Sequence, residues 1–355
     1  MSGSLKKLNL ICVGPIDITY DHIKWVIQDY FALTAYDPSK TYNKKTDILA
    51  VSRPFHWNDH IKTHLLDQGF KMLIVDLWEA RPYFLSKDLE EYLDNILVIL
   101  GCKNSLEYGW KNVLNVPNWF WYNESLMYTC DYRCQGYQDY VPNRTKEKLF
   151  LMPMHRAKEF RNQIRDQFAP ILDQAVWSYV ESWQDSRTLP RQTESLIEEF
   201  LPDRIFEASW YDQTCFTVAV ETAVDSQTNS QAEHDGKHTE AFPCELFVTE
   251  KTFKPIAFRH PFQVAAMPGT LQFLKDNGFE TYENLFDERY DSMPFFNDRL
   301  DLIYKNCEQF NRDIYLDILT EQKIEHNHQL FYNRGIVLDS VHTQLIEPML
   351  EWINQ

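Results

Sequence analysis

Long hydrophobic runs are missing from this 355-residue sequence. No stretch of about 18 apolar residues occurs, and a membrane-spanning helix needs roughly that length. The amino-terminal residues 1–9 are polar, whereas a secretory signal peptide needs an apolar core there. We therefore expect a chain without a membrane span that works in the cytoplasm.

Cysteine and glycine are also scarce. The seven cysteines are an odd number without regular spacing, which favours free thiols over a disulfide framework. The ten glycines form no GxGxxG dinucleotide fingerprint, no GxxxxGK[ST] phosphate loop and no GxSxG nucleophile elbow. These absences argue against a dehydrogenase and against a P-loop NTPase.

Positive charge is scarce in the chain as a whole. The formal net charge is −17, which disfavours a general polyanion binder, because phosphate contacts need lysine and arginine. Residues 144–165 depart from this balance, with a local excess of five positive charges. This excess is typical of a solvated helix face, or alternatively of a small site for a phosphorylated ligand. Its basic residues are Arg144, Lys146, Lys148, Arg156, Lys158, Arg161 and Arg165.

Apolar runs alternate with helical patterns through the first part of the chain. The runs are short and continuous, as strands are when both faces of a parallel sheet are covered. Their alternation with helices is typical of βαβ units. The predicted strands are 8–13, 47–51, 71–77, 95–100 and 113–116, and the predicted helices include 20–33 and 56–68.

A second α/β series follows a polar and aromatic stretch over residues 122–148. The polar run 224–242 predicts a loop or insertion, and the chain beyond residue 291 is predicted to be mostly helical. The predicted strands of this series are 149–152, 175–180, 216–220 and 261–266, with helices over 155–168 and 341–352.

These patterns predict an α/β fold with two Rossmann-like domains facing a cleft and a helical C-terminal segment. The predicted domains are residues 1–145 and residues 146–355. In such folds, ligands bind outside the carboxyl ends of the strands.

The most informative segment is residues 245–269, ELFVTEKTFKPIAFRHPFQVAAMPG. Thr249 is a favoured N-cap for a helix that starts with Glu250 and Lys251 and that Pro255 keeps short or kinks. A helix N-terminus attracts phosphate, and Lys251 adds a full charge there. Adjacent helix positions point about 100° apart, so Glu250 is expected to face ribose hydroxyls instead. The alternative is an ordinary capped helix with solvated charges.

This segment resembles the donor-site motif of the fucosyltransferase-like GT-B glycosyltransferases. In that family an apolar strand with a glutamate precedes a V-T-E-K helix start and a further strand. The same order here is FTVAVE at 216–221, VTEK at 248–251 and PFQVAA at 261–266. The chain over about 148–291 also resembles a family of phage and bacterial proteins that share T-E-K-T-F-K-P-I, which stands here at 249–256.

The resemblance implies transfer of a sugar from a nucleotide-sugar donor, without a cofactor. It implies that residues 146–355 bind the donor and that residues 1–145 form the acceptor side. It also implies that fixed cations and helix dipoles, rather than a metal, stabilise the leaving diphosphate. The sequence agrees, since it has no DxD-type acidic motif in a suitable loop. The implied donor-site residues are Arg156, Glu221, Thr249, Glu250, Lys251, Thr252 and Lys254.

Two departures from the family pattern limit what it implies. The fucosyltransferase-like enzymes lack the K-P-I continuation found here at 254–256, so the identity of the donor does not transfer. Arg156 keeps a cation after the first strand of the second series, but the asparagine that usually precedes it is missing.

Catalytic residues are expected on both sides of the cleft. Lys251 is expected to neutralise the leaving diphosphate. A base for the acceptor hydroxyl is expected just past a strand of the first domain, where Asp76 and Glu79 are the candidates. The alternative for Glu79 is a loop carboxylate paired with Arg81. No metal site is predicted, because His56, His60 and His64 share helical spacing without an HExxH pattern.

Three function classes remain open. The resemblance favours a metal-independent hexosyl- or pentosyltransferase. A non-catalytic nucleotide-sugar-binding protein would keep the same fold. A transferase that adds sugar to phage DNA bases is disfavoured by the acidic balance. The expected partners are a nucleotide sugar and an acceptor that is a glycan, a small molecule or a modified DNA base; a phage-encoded chain would work in the host cytoplasm.

Overall fold

The computed structural model divides into two compact units, Met1–Phe120 together with Arg334–Gln355, and Trp121–Asn333. No helix of the described residues is long and apolar enough to cross a membrane. The residues that the structure describes are 8–13, 31–37, 39–51, 66–76, 87–100, 111–115, 139–156, 158–180, 208–224, 246, 248–312, 315–333 and 342–355.

The first unit contains a six-stranded sheet in which all the strand pairs are parallel, in the order β2-β1-β3-β4-β5-β6. Its central strands are apolar and buried, as in DILAV of β3. The strands are β1 (Leu8–Val13), β2 (Phe31–Ala35), β3 (Asp47–Val51), β4 (Met72–Asp76), β5 (Ile96–Leu100) and β6 (Val113–Asn115).

The second unit contains a four-stranded parallel sheet in the order β10-β9-β7-β8. Strand β9 is buried at every position, because it lies inside the sheet. The strands are β7 (Lys148–Arg156), β8 (Ala175–Val180), β9 (Thr214–Val220) and β10 (Phe262–Ala265).

Helices flank the second sheet and dominate the C-terminal part of the chain. The helix over Glu250–Ala257 packs against β9 and against the helix over Ile318–Tyr332. The α-helices are α1 (Glu159–Phe168), α2 (Ala208–Asp212), α3 (Glu250–Ala257), α4 (Thr270–Asp276), α5 (Phe296–Glu308), α6 (Ile318–Tyr332) and α7 (Glu347–Asn354). Lys87–Asn95, Ala169–Gln174 and Glu288–Ser292 form 3₁₀ helices, and His342–Ile346 forms a π-helical turn that leads into α7.

The predicted α/β class, with two parallel sheets and a helical C-terminal segment, is confirmed. Each predicted strand is present. Some strands have the predicted bounds, and the others begin or end a few residues away from them. The facing of the two domains across a cleft stays a prediction. The loop predicted over 224–242 lies almost entirely outside the described residues, as do most of the helices predicted over 20–33 and 56–68.

Two predicted helices are wrong at one end. The helix predicted over 20–33 overlaps β2, because the apolar run that begins at Phe31 suits a buried strand as well as a helix. The helix predicted from residue 155 begins only at Glu159, because β7 continues to Arg156.

The C-terminal segment belongs to the first unit. Lys71, just before β4, donates hydrogen bonds to the carbonyl oxygens of Trp352 and Ile353 at 2.6 and 3.0 Å. It thereby satisfies carbonyl groups that α7 leaves open at its end. The unit bounds thus differ from the predicted division at residue 145, while the assignment of donor and acceptor sides stays a prediction.

Candidate functional site

In the second sheet, the order in which the chain adds its strands reverses between β7 and β9. Strand β8 lies on one side of β7, whereas β9 and β10 lie on the other. The pairing of β7 with β9 runs up to Leu151 and Thr217, whereas β7 continues to Arg156 and β9 to Val220. Open α/β sheets bind ligands outside the carboxyl ends of the strands at such a point. The residues that follow β7 and β9 therefore occupy the expected position of a ligand site.

The Glu221 carboxylate fastens helix α3 to the end of β9. Glu221 is fully buried, with 0% of its surface exposed. It accepts hydrogen bonds from the Thr249 N–H at 3.0 Å, the Thr249 hydroxyl at 2.6 Å and the Thr252 hydroxyl at 2.6 Å. The Thr222 N–H donates to it at 3.2 Å. A buried carboxylate is unfavourable unless donors surround it, and these donors fix the first turn of α3.

Thr249 caps helix α3 as the sequence predicts. Its hydroxyl oxygen accepts a hydrogen bond from the Lys251 N–H at 3.4 Å, and its backbone is extended, as at other N-caps. The same hydroxyl donates a hydrogen bond to Glu221, which follows β9. The first turn of α3 therefore lies next to the end of β9. The positive end of the α3 dipole therefore lies at the carboxyl edge of the sheet.

The first two residues of α3 form a buried ion pair. Lys251 Nζ lies 2.7 Å from Glu250 Oε1, and Glu250 is only 5% exposed. Burial by itself would raise the pKa of Glu250, but the charges of Lys251 and Lys254 and the hydrogen bonds to the carboxylate outweigh it, so the pKa is lowered. Glu250 is therefore ionised at neutral pH.

The second carboxylate oxygen of Glu250, Oε2, is buried and has no hydrogen-bond partner among the described residues. Buried polar atoms in native proteins are almost always paired, and an unpaired one is unfavourable by about 1–3 kcal/mol. An ionised oxygen in this state is a strong acceptor for a hydroxyl or N–H group of a ligand. The site is thus built around an acceptor, Glu250, and an ammonium group, Lys251.

Thr222 contacts the ammonium groups of two lysines, Lys251 and Lys158, at this edge. Lys251 Nζ lies 3.3 Å from the Thr222 hydroxyl oxygen, and Lys158 Nζ donates to the Thr222 carbonyl oxygen at 3.0 Å. Lys158 comes from the segment after β7 and also lies over the Phe160 ring, with 5.8 Å between Nζ and the ring centroid. Residues that follow β7, β9 and the α3 N-cap therefore meet at one place.

The basic segment 144–165 does not form one patch. Lys148 begins β7 and donates to the Asp173 carbonyl oxygen at 2.7 Å, whereas Lys158 follows the opposite end of the strand. Strand β7 has nine residues and spans roughly 25 Å, so it carries these lysines to opposite edges of the sheet. Elsewhere in the segment, Arg144 pairs with Glu321 and Arg165 with Asp166.

Neither a protein-family model nor a curated protein sequence matches this chain. Among solved structures, a crystal structure of an alpha1,3-fucosyltransferase has 10% identity and a TM-score of 0.48, over 95% of this chain and 92% of that chain. An alpha1,3-fucosyltransferase with GDP-fucose has 11% identity and a TM-score of 0.45, over 93% and 90%. A structure with GDP has 11% identity and a TM-score of 0.47, over 95% and 92%. These values are too low to assign an activity.

The structure brings most of the predicted donor-site residues together. Lys254, one turn after Glu250, is nearly buried, and its charge helps to lower the pKa of Glu250. The backbone of Arg156 ends β7 at the same edge, but its side chain lies outside the described part of the structure. The predicted residues that meet at the end of β9 and the start of α3 are Glu221, Thr249, Glu250, Lys251, Thr252 and Lys254.

The predicted catalytic bases are not tested. Asp76 is the last residue of β4, and its side chain lies outside the described residues, as does the whole of Glu79. Their assignment stays a prediction.

The different roles expected for Glu250 and Lys251 stay a prediction, although their charged groups meet in the structure. Their Cα–Cβ bonds diverge around the helix, but the long Lys251 side chain folds back to the carboxylate of its neighbour. Helix geometry fixes only the Cα–Cβ directions, whereas a lysine has three further carbons beyond Cβ with which its ammonium group can reach a charge.

Sequence reasoning missed two residues of this site. Lys158 belongs to the basic segment, and Thr222 directly follows Glu221. Neither residue has a local pattern that assigns it to a ligand site. Their meeting depends on β7 lying next to β9, which the order of the strands along the chain does not reveal.

Two residues at the end of the stretch 148–291, Tyr290 and Asp291, support the scaffold. The Asp291 carboxylate accepts hydrogen bonds from the N–H groups of Leu271 and Gln272 at 2.9 and 3.1 Å, so it caps α4. The Tyr290 hydroxyl accepts a hydrogen bond from the Val264 N–H in β10 at 3.2 Å. The N-terminus of α4 is therefore already engaged by Asp291.

Proposed function

We propose that this chain is a metal-independent glycosyltransferase that moves a hexosyl or pentosyl group from a nucleotide-sugar donor to an acceptor. The observation that carries this proposal is the ionised, buried Glu250 with an unpartnered oxygen, next to Lys251 at a helix start on the ligand-binding edge of a parallel sheet. The sequence resemblance over 249–256 supports the same activity. A nucleotide sugar carries both ligand groups that this site suits, hydroxyls for the carboxylate and phosphates for the ammonium group.

The proposed chemistry places each residue in a role. Glu250 accepts hydrogen bonds from the donor's ribose hydroxyls, and Lys254 helps to keep it ionised. When the bond between the sugar's anomeric carbon and the phosphate oxygen breaks, the leaving diphosphate gains negative charge. Lys251 and the N-terminus of α3 stabilise that charge, together with Arg156 at the end of β7.

Three residues hold this arrangement in place. Glu221, Thr249 and Thr252 are fully buried and bonded to one another. In the proposed enzyme they position the first turn of α3, so that Glu250 and Lys251 need no reorganisation when the donor binds. Their predicted role at the donor site is therefore indirect.

The acceptor supplies the oxygen that forms the new bond to the anomeric carbon. In an inverting reaction its proton passes to a carboxylate, for which Asp76 and Glu79 are the proposed bases. The acceptor is a glycan, a small molecule or a modified DNA base, and the described residues do not select among these.

A thermal-shift screen tests donor binding directly. The full chain is heated with UDP-, GDP-, CMP- and dTDP-sugars, and one donor is expected to raise the melting temperature, because a ligand at 100 times its Kd stabilises by about 2.7 kcal/mol. Glu250→Gln should abolish the shift. Glu325→Gln is the matched control, since it breaks a more exposed ion pair with Arg259 past the other end of α3, 2.7 Å between charged atoms. A chain that no nucleotide sugar stabilises is not a glycosyltransferase of this kind.

Turnover separates the enzyme from a binding protein. A transferase is expected to release the nucleotide leaving group of the stabilising donor when a panel of acceptors is supplied. This product is a nucleoside diphosphate, or CMP if the donor is a CMP-sugar. Binding without release from any donor would favour the non-catalytic alternative. Activity should persist in EDTA, because the proposed site uses cations of the protein; loss of activity in EDTA that Mn²⁺ or Mg²⁺ restores would overturn metal independence.

A further inference from the structure

The ion pair at the start of α3 creates a charge problem for a diphosphate ligand. Lys251 is the cation in the first turn of α3, but its charge is largely balanced by Glu250 at 2.7 Å. A carboxylate this close to the diphosphate also repels it. The pair can orient a phosphate, but it does not supply the net positive charge that a diphosphate needs. Besides Arg156, whose backbone ends β7 at this edge, a further cation beside Lys251 would supply this charge.

Lys158 occupies that position. Its ammonium group is held at 3.0 Å on the carbonyl oxygen of Thr222, the residue whose hydroxyl oxygen lies 3.3 Å from Lys251 Nζ. The two ammonium groups thus approach the two oxygens of one residue. Lys158 follows β7, and Lys251 lies in α3, which comes after β9. The two lysines therefore come from the two sides of the point where the strand order reverses. A ligand that enters between these strands meets both cations.

We infer that Lys158 is a further diphosphate-binding cation of the donor site, acting with Lys251 across Thr222 and in addition to the proposed Arg156. This inference rests on the proposed function, because it names the part of the donor that these residues bind. A diphosphate presents oxygens to both ammonium groups at once, whereas a monophosphate engages one of them. Lys158 therefore makes the site selective for nucleoside diphosphates over the corresponding monophosphates.

The buried Glu250 oxygen supports a ligand at this place independently of the lysines. Oε2 has no partner among the described residues and belongs to a side chain that is more than nine-tenths buried. A ligand that donates a hydroxyl to this oxygen and places its phosphates between the lysines satisfies both groups. The two observations point to one molecule with a hydroxyl-bearing part and a diphosphate.

Calorimetric binding of GDP, UDP, GMP and UMP to the full chain tests the inference. Lys158→Met keeps an unbranched side chain of similar length and removes the charge. It should weaken binding of the preferred diphosphate about tenfold and change binding of the monophosphate less than about twofold, as loss of one charge-assisted contact predicts. Lys158→Arg should restore the preference. The salt dependence of diphosphate binding should also be smaller in Lys158→Met than in the wild type.

The matched control is Lys148→Met. Lys148 also donates to a backbone carbonyl oxygen, at 2.7 Å, but from the opposite end of β7. The substitution Lys148→Met removes the same charge as Lys158→Met and should leave the preference for diphosphate unchanged. Thermal unfolding of each variant in the absence of nucleotide shows whether the fold is retained.

The outcomes separate this inference from the proposed function. If the wild type prefers diphosphates and Lys158→Met abolishes that preference while Lys148→Met does not, the inference is supported. If the wild type binds a diphosphate and Lys158→Met binds it equally well, the assignment of Lys158 is overturned and the donor site stands. If the wild type binds no nucleotide, the proposed function fails and the inference fails with it.

Discussion

The ion pair of Glu250 and Lys251 links ligand binding to stability at the scale of single residues. Removing Lys251 leaves the buried Glu250 carboxylate with Lys254 as its remaining described cation. We predict that Lys251→Met lowers the free energy of unfolding by about 1–3 kcal/mol, because a buried charge loses its partner. Adding Glu250→Gln should recover most of this loss, since the carboxylate that lost its partner is then replaced by a neutral amide. Urea unfolding of the two single variants and the double variant measures the coupling, and additive effects would contradict it.

The same two residues should differ in their effects on kinetics. Ribose contacts are similar in the ground state and the transition state, so Glu250→Gln should mainly raise KM for the donor. The leaving diphosphate gains charge as the bond breaks, so Lys251→Met should mainly lower kcat. Steady-state kinetics with the donor from the thermal-shift screen give both constants. An ordinary capped helix predicts no kinetic effect from either change.

His260 is a buried, neutral histidine whose ring nitrogens lie 2.8 Å from the Thr217 hydroxyl and 2.9 Å from the Thr214 carbonyl oxygen. Its pKa is lowered to about 4, mainly by burial. The hydrogen bond with Thr214 opposes this shift, and the charge of Arg144 contributes to it. An unfolded histidine titrates near pH 6.5, so below that pH the unfolded state binds more protons than the folded state. The stability that the neutral ring contributes is complete above pH 6.5 and is lost as the pH falls towards 4.

His260→Gln should remove this pH dependence. Between pH 7 and pH 4.5 the wild type should lose about 2–3 kcal/mol of unfolding free energy relative to the variant, because two pH units of differential protonation correspond to about that amount. Urea unfolding of both proteins at the two pH values measures the difference, and the other titrating groups cancel since both proteins contain them. A stability difference that stays constant with pH would contradict the prediction.

At the scale of elements, Glu221 joins strand β9 to helix α3. Glutamine at this position keeps one acceptor oxygen but turns an NH₂ group towards the Thr249 or Thr252 hydroxyl. We predict that Glu221→Gln lowers the unfolding free energy by about 2–4 kcal/mol, because buried donors lose their acceptor. Donor binding should weaken as well, since the first turn of α3 is no longer fixed.

Glu288→Gln is the control for this prediction. Glu288 also accepts a hydrogen bond from a threonine hydroxyl, Thr281, at 2.7 Å, but it lies in the 3₁₀ helix after α4. Glu288→Gln should lower the unfolding free energy by less than Glu221→Gln does, and it should leave donor binding unchanged. Urea unfolding and calorimetric binding are compared for the two variants. Wild-type binding by Glu221→Gln would show that α3 does not depend on this carboxylate.

At the scale of the whole molecule, the chain returns to its first unit at the C-terminus. Ile346, Met349 and Trp352 are buried, and Lys71 holds the last carbonyl groups of α7 while lying 4.9 Å from the Trp352 ring centroid. We predict that Lys71→Met loosens α7, with a loss of about 1–2 kcal/mol in local stability. Hydrogen exchange of residues 342–355 should become faster in this variant.

Lys44→Met serves as the control for Lys71. Lys44 donates to the Gln68 carbonyl oxygen at 3.3 Å in the same unit, but at an exposed position. Its loss should not change hydrogen exchange of α7. Equal exchange of α7 in the wild type and in Lys71→Met would show that the buried apolar contacts alone hold the segment.

The sequence by itself determines the features that depend on near neighbours. Buried parallel strands appear as short apolar runs, and 47–51 and 175–180 are predicted with the same bounds as β3 and β8. The N-cap at Thr249 is readable because a cap needs only its own side chain and the next few N–H groups. The second parallel sheet follows from the alternation of apolar runs and helical patterns.

Only the tertiary structure decides which of these elements meet. Glu221 binds Thr249 across 28 positions of sequence, and Lys158 reaches Thr222 across 64. These contacts exist because β9 lies next to β7 instead of β8, an order that no local pattern encodes. The length of β7 separates Lys148 from Lys158, although they share one basic segment. Local sequence fixes burial and caps, whereas strand order and crossover fix which charges come together.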